Sequence, residues 1–213
     1  MIETPPVIIV LDHVKPENIR NIPDRRGGNT YRAASATGAE GRERDHTDNA
    51  AQVLKEELES LGVEVEIKAP EDFGNYEDYD AYILSESSKG HIILPFHFDA
   101  EVGRGGVGFL TRIRPGDVED RRLAERIEPV LEQFQRENPE LGNYRITDTY
   151  PNATLNSASP GPATLVEFGA MVHWERTYGT NFTSTPKFRQ LARMVAKGIV
   201  GEKTPPRMCP SGW

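Results

Sequence analysis

The chain has 213 residues, 37% of them hydrophobic and 27% charged, enough to build one substantial core and too apolar for a disordered polymer. Its formal charge of −8 argues against a general nucleic-acid binder or a polybasic membrane binder. The single cysteine, Cys209, excludes an intrachain disulfide framework and an all-cysteine zinc site, so a metal would need His and carboxylate ligands.

Residues 1–204 are expected to form one domain and residues 205–213 a tail rich in Pro and Gly. The stretch Met1 to Pro6 has neither a basic segment nor an apolar one, and no apolar run approaches the ~20 residues of a membrane span. The expectation is a protein that is cytoplasmic on synthesis and does not insert in membranes.

Val7 to Leu11 is an apolar run that reads as the first strand, closed by Asp12 and His13. A long polar stretch follows, from Val14 to about Arg42. A segment of this size is usually a functional lid or an insertion. Its arginines, among them Arg20, Arg25 and Arg32, suit an acidic substrate or a solvated surface.

A helix is expected from near Asp45, with Ala50, Val53, Leu54, Leu58 and Leu61 at helical spacing and Gly62 as its stop. Val63, Val65 and Ile67 alternate with charged residues, the pattern of a half-buried strand. Pro70 to Asp78 reads as a loop, and Tyr79 to Leu84 fits either a helix or a strand. Ile92 to Ala100 is a longer apolar run bounded by Gly90 and Gly103, as in a buried strand of an α/β sheet.

A further run, Val107 to Leu110, leads through the turn signal Pro115-Gly116-Asp117 to a helix over residues 118–136. Tyr144 to Thr147 suggests a short strand and Pro151 to Pro162 a loop. Ala163 to Phe168 forms another strand ending at Gly169, and residues 186–199 form the last helix. Strands alternating with helices predict an α/β three-layer sandwich, with a mixed, mostly parallel central sheet and helices on both faces.

Three strands share one form, an apolar run whose far end carries His or Glu: Asp12-His13, His97 with Asp99, and Glu167. Glu43 stands just before the first helix, where the preceding loop would deliver it to the same edge. Two imidazoles and a carboxylate make a common catalytic zinc set with one position open, and a further carboxylate supplies the proton acceptor and donor that amide hydrolysis needs. Glu167 interrupts an apolar strand, where an unpaired carboxylate is costly to bury. The blander reading of each is a strand-end residue satisfied by backbone groups. His46, three residues beyond Glu43, is a reserve ligand. His91 should lie at the opposite sheet edge, and His173 suits a packing role at the pocket rim.

From about Val7 to Val200 these residues resemble the zinc-dependent N-acetylmuramoyl-L-alanine amidases, including phage endolysins. Glu43-Arg44-Asp45 is similar to the family's Glu-Lys/Arg-Asp segment, and Pro95-Phe96-His97-Phe98-Asp99-Ala100 to its Ser-Ile-His-x-Asn-Ala strand end. Gly106-Val107-Gly108-Phe109 resembles Gly-Val-x-x-Tyr, and Pro162 to Gly169 resembles Pro-Ala-x-Leu-Val-Glu-x-Gly. The resemblance implies one Zn²⁺ per chain on His13, Glu43 and His97, with Glu167 as catalytic proton carrier. It implies peptidoglycan, as a muramoyl peptide, as the substrate, reached after release or lysis. Two departures stand out. The family's first ligand lies in Asp-x-Gly-His-Gly-Gly, whereas Asp12 adjoins His13 here and no glycines follow. Asp99 replaces the usual Asn and adds a charge beside the centre.

Two other readings share these residues. One is a small-molecule amidohydrolase of the N-formylglutamate kind, with Arg104 or the loop arginines selecting a carboxylate. The other is a non-catalytic wall-binding or structural module that holds no metal.

Overall fold

The computed structural model describes residues 4–13, 43–99, 108–145 and 152–201. The polar segment 14–42, Arg104, Cys209 and the proposed tail lie outside the described residues, as does the second half of the short strand expected over Tyr144 to Thr147.

Among the described residues, five strands form one sheet in the order β2-β1-β3-β5-β4. They are β1 (Val7–Val10), β2 (Val65–Lys68), β3 (Ile92–Asp99), β4 (Phe109–Arg112) and β5 (Leu165–Ala170). All pairings are parallel except that of β4 with β5 at the edge. The strand β3 is the spine of the sheet. Its first half pairs with β1, Val7 opposite Ile92, and its second half pairs with β5, His97 opposite Glu167. Burial on both faces explains its unbroken apolar run.

Successive side chains point to opposite faces and build two cores. Val7, Ile9, Leu94, Phe96, Phe98, Val166 and Phe168 face α1 (Glu43–Glu59), α3 (Val118–Glu137) and α6 (Pro186–Val200). Ile8, Val10, Ile93 and Leu165 face α2 (Tyr76–Ser88) and α4 (Ala153–Ser157). The expected three-layer sandwich with a mixed, mostly parallel sheet is therefore the observed fold.

Tyr79 to Leu84 belongs to α2. Asn75 caps this helix by accepting from the Asp78 N–H at 2.8 Å, and Tyr76, Tyr79 and Ile83 form its narrow buried stripe. This stripe is narrow, so the sequence pattern is weak. Two further helices appear: α4, capped by Asn152, inside the loop expected over Pro151 to Pro162, and α5 (Met171–Tyr178), which follows β5 directly in a stretch given no element from the sequence. The first helix starts at Glu43 rather than near Asp45, so Glu43 lies in its first turn instead of before it. An acid there is favoured by the positive end of the helix dipole. Among the described residues, no helix is long and apolar enough to cross a membrane.

Candidate metal centre

The connection from β1 leads through α1 to β2 on one side, whereas β3 lies on the other side of β1. The carboxyl ends of β1 and β3 thus flank a topological switch point, where α/β sheets open a crevice for ligands. His13 follows β1, His97 lies near the end of β3, and the first turn of α1 brings Glu43 over the same edge. Side-chain ligand atoms of these three residues all lie within 4.8 Å of one another. His13 Nε2 is 3.5 Å from Glu43 Oε2, His97 Nδ1 is 3.4 Å from Glu43 Oε1, and the two rings meet edge to face at 4.9 Å. The Phe98 N–H donates to Glu43 Oε1 at 3.3 Å, beside an irregularity in the β3–β5 register that follows His97.

The electrostatics suit a cation. Burial works against ionisation of Glu43, yet His13 and His97 hold its carboxyl well below the usual carboxylate range. Burial likewise disfavours an imidazolium at His97, but hydrogen bonds to Asp12 and Glu43, and the charge of Glu167, raise its pKa well above the ordinary value. The surrounding carboxylates thus favour positive charge at His97. A divalent ion would place positive charge at the same point, and the donor set of two imidazoles and one carboxylate fits zinc.

Glu167 stands opposite His97 on the adjacent strand and shares its face of the sheet. Burial pushes its carboxyl up to about 7, with the His97 charge opposing the shift and Glu43 adding to it. Its Oε2 is buried with no hydrogen-bond partner, so the backbone-capped reading does not describe this oxygen. The backbone behind it is tightly set. Gly169 has φ +99°, and a Cβ there would sit 2.7 Å from Trp174 Nε1 and 2.8 Å from Phe109 Cζ. That nitrogen donates to the Phe168 carbonyl, fixing the end of β5 to α5.

The other expected residues separate clearly. His46 is buried, binds Glu175 through Nε2 at 2.8 Å and packs on the Phe182 ring, so it is committed to α5 rather than to the cluster. His91 pairs with Glu86 at 2.9 Å at the start of β3, the opposite edge of the sheet. His173 lies in α5, half-buried, where burial and Arg176 lower its pKa. Asp99 ends β3 and contributes charge to the surroundings of Glu167. Sequence reasoning gave Asp12 no role, but Asp12 Oδ2 lies 3.0 Å from His97 Nε2. The available signal was its period: Ile8, Val10 and Asp12 share a face, so Asp12 points to the side of the sheet that His97 also faces.

Solved structures with a similar fold include N-acetylmuramoyl-L-alanine amidases. The N-acetylmuramyl-L-alanine amidase Ami1 from Mycobacterium abscessus aligns at 19% identity and TM-score 0.60, covering 92% of this chain and 98% of its own. Ami1 from Mycobacterium smegmatis aligns at 17% identity and TM-score 0.61, over 92% of this chain and 96% of its own. The catalytic domain of the CD27L endolysin, which targets Clostridia difficile, aligns at 18% identity and TM-score 0.60, over 93% and 98%. The chain has the fold of N-acetylmuramoyl-L-alanine amidases across nearly its whole length. No protein-family model matches the sequence, and no curated protein matches it.

Proposed function

We propose that this protein is a zinc-dependent amide hydrolase that cleaves the bond between N-acetylmuramic acid and L-alanine in peptidoglycan. The observation that carries the reading is the convergence of His13, Glu43 and His97 at the switch point, with Glu167 on the neighbouring strand. The full-length likeness to peptidoglycan amidases supports the substrate class.

In this reading His13, Glu43 and His97 would hold one zinc ion. The ion, when bound, polarises a carbonyl and lowers the pKa of water from roughly 15.7 towards 7. Glu167 carries the proton. A carboxyl brought to about 7 by burial is matched to transfer in both directions at neutral pH. As the carboxylate it takes a proton from the attacking water, and as the acid it gives that proton to the departing amine. Water is thus added across the C–N bond, leaving a carboxylate on the muramoyl side and the free amine of the peptide. Asp99 is proposed to shape the charge at the rim, and Arg104 is proposed to contact substrate. The enzyme would act on the cell wall after release.

Elemental analysis of the purified protein, with no metal added, should find about one zinc per chain in the wild type and far less in His13→Ala. Mass spectrometry should find the free peptide amine after incubation with a soluble muramoyl peptide. A wild type that takes up no zinc even when it is supplied, and releases no amine, would overturn the proposal. Release from N-formylglutamate in place of the muramoyl peptide would overturn the substrate class alone.

A further inference from the structure

Asp12 has no part in the proton transfers above, yet it is 6% exposed and is held from several directions. Its Oδ2 lies 3.0 Å from His97 Nε2. Its Oδ1 accepts from the hydroxyls of Thr154 at 2.5 Å and Tyr79 at 3.2 Å. Its backbone carbonyl accepts from the Tyr76 hydroxyl at 2.9 Å. Thus α2 and α4, the helices on one face of the sheet, fix the orientation of a carboxylate at the end of β1.

The two nitrogens of His97 face different partners. Nε2 meets Asp12, while Nδ1 meets Glu43 Oε1 at 3.4 Å on the side of the His13–Glu43–His97 cluster. A carboxylate oxygen in this position accepts an N–H, so it keeps a proton on Nε2 and leaves the Nδ1 lone pair as donor. Adjacent side chains at the end of a strand point to opposite sides, which explains how neighbours divide the work. Asp12 reaches the outer nitrogen of His97, and His13 reaches Glu43.

We propose that Asp12 is a positioning residue that holds His97 in the Nε2–H tautomer, so that Nδ1 binds the metal, and that Thr154 and Tyr79 in turn hold Asp12. This rests on the metal reading of His13, Glu43 and His97 given above. Partners of this kind tune affinity by orienting a ligand and raising its basicity, with typical losses of about 10–100-fold when they are removed.

The test compares the wild type, Asp12→Asn and Thr154→Val by zinc affinity in competition with a chromophoric chelator. The visible spectrum of each Co²⁺-loaded protein and the thermal unfolding of each metal-free protein are recorded alongside. Asp12→Asn should bind zinc about 10–100-fold more weakly and show altered cobalt bands. Thr154→Val, which removes one support of Asp12 without touching a ligand, should shift both readouts in the same direction by a smaller amount. Wild-type affinity and an unchanged cobalt spectrum in both variants would overturn the proposal, even if their unfolding temperatures fall, because Asp12 would then serve the fold alone. Should Asp12→Asn fail to fold, Thr154→Val decides by the same criteria. A wild type that binds neither metal would remove the zinc reading itself, whereas unchanged variants of a metal-binding wild type overturn only the role of Asp12.

Discussion

Two buried acids in this molecule, Asp120 and Glu167, differ in how completely they are answered. Asp120, fully buried in the first turn of α3, accepts from Arg114 Nε at 2.8 Å, Arg114 Nη2 at 2.6 Å, the Arg114 N–H at 3.1 Å and the Ala163 N–H at 2.7 Å. Arg114 further donates to the carbonyls of Ala158 and Gly161, so the pair clamps the approach to β5. Glu167, two turns of backbone pleat further along that strand, has one oxygen with no hydrogen-bond partner and a carboxyl pushed up to about 7. A carboxylate whose lone pairs are filled by a fixed cation and backbone donors is locked in its charge state. One left short of donors and buried can change it. The first belongs to architecture, and the second has the character the proposed chemistry needs.

That contrast can be broken by exchange of single atoms. In Glu167→Gln the side-chain volume is kept and the proposed proton carrier is lost. The amidase rate should fall by about 10²–10⁴-fold, with metal content and fold retained. A fully active Glu167→Gln protein, measured on the same muramoyl peptide, would end the proposed mechanism.

The mirror experiment, Asp120→Asn, strips the charge from the clamp and leaves a buried guanidinium with an NH₂ group facing one of its donors. Urea unfolding should record a loss of about 3–5 kcal/mol, as for other broken buried pairs. The cost should appear in stability and not in zinc affinity. An unaltered unfolding curve would show that the clamp is dispensable.

The pH dependence sharpens the comparison. Glu167 has its folded pKa raised from 4.5 to about 7, so its contribution to stability is fully present below 4.5 and is lost as pH rises through 7. In metal-free protein, Glu167→Gln should therefore gain on the wild type by about 3 kcal/mol between pH 4 and pH 8, at roughly 1.4 kcal/mol per pKa unit. Parallel stability curves for the two proteins would refute the assignment of the shift to Glu167.

Most of the framework was legible in the sequence because it follows from local patterning. The unbroken run Ile92–Phe98 announced a strand buried on both faces, the alternation Val63-Val65-Ile67 a half-exposed one, and the stripe Leu123, Ile127, Leu131 and Phe134 a helix covering the sheet. Glu43 and His97 were visible as polar residues near the ends of such elements, and Glu167 as a carboxylate interrupting an apolar strand. The helix α2 escaped a firm reading because Tyr76, Tyr79 and Ile83 make too thin a stripe, and its cap Asn75 looks like any loop residue. The helix α5 escaped because it begins at the residue after β5, with no intervening turn signal.

The sequence by itself determined the alternation of strands and helices and the apolar faces that close the sandwich, since periodicity and turn chemistry act over a few residues. Only the tertiary structure decided which polar residues meet. Asp12 reaches His97 across 85 positions and Thr154 across 142, while His46 is drawn to Glu175 across 129 and away from the cluster. No local spacing encodes such pairs. They follow from strand order and register, which the burial of whole faces selects for the chain as a unit.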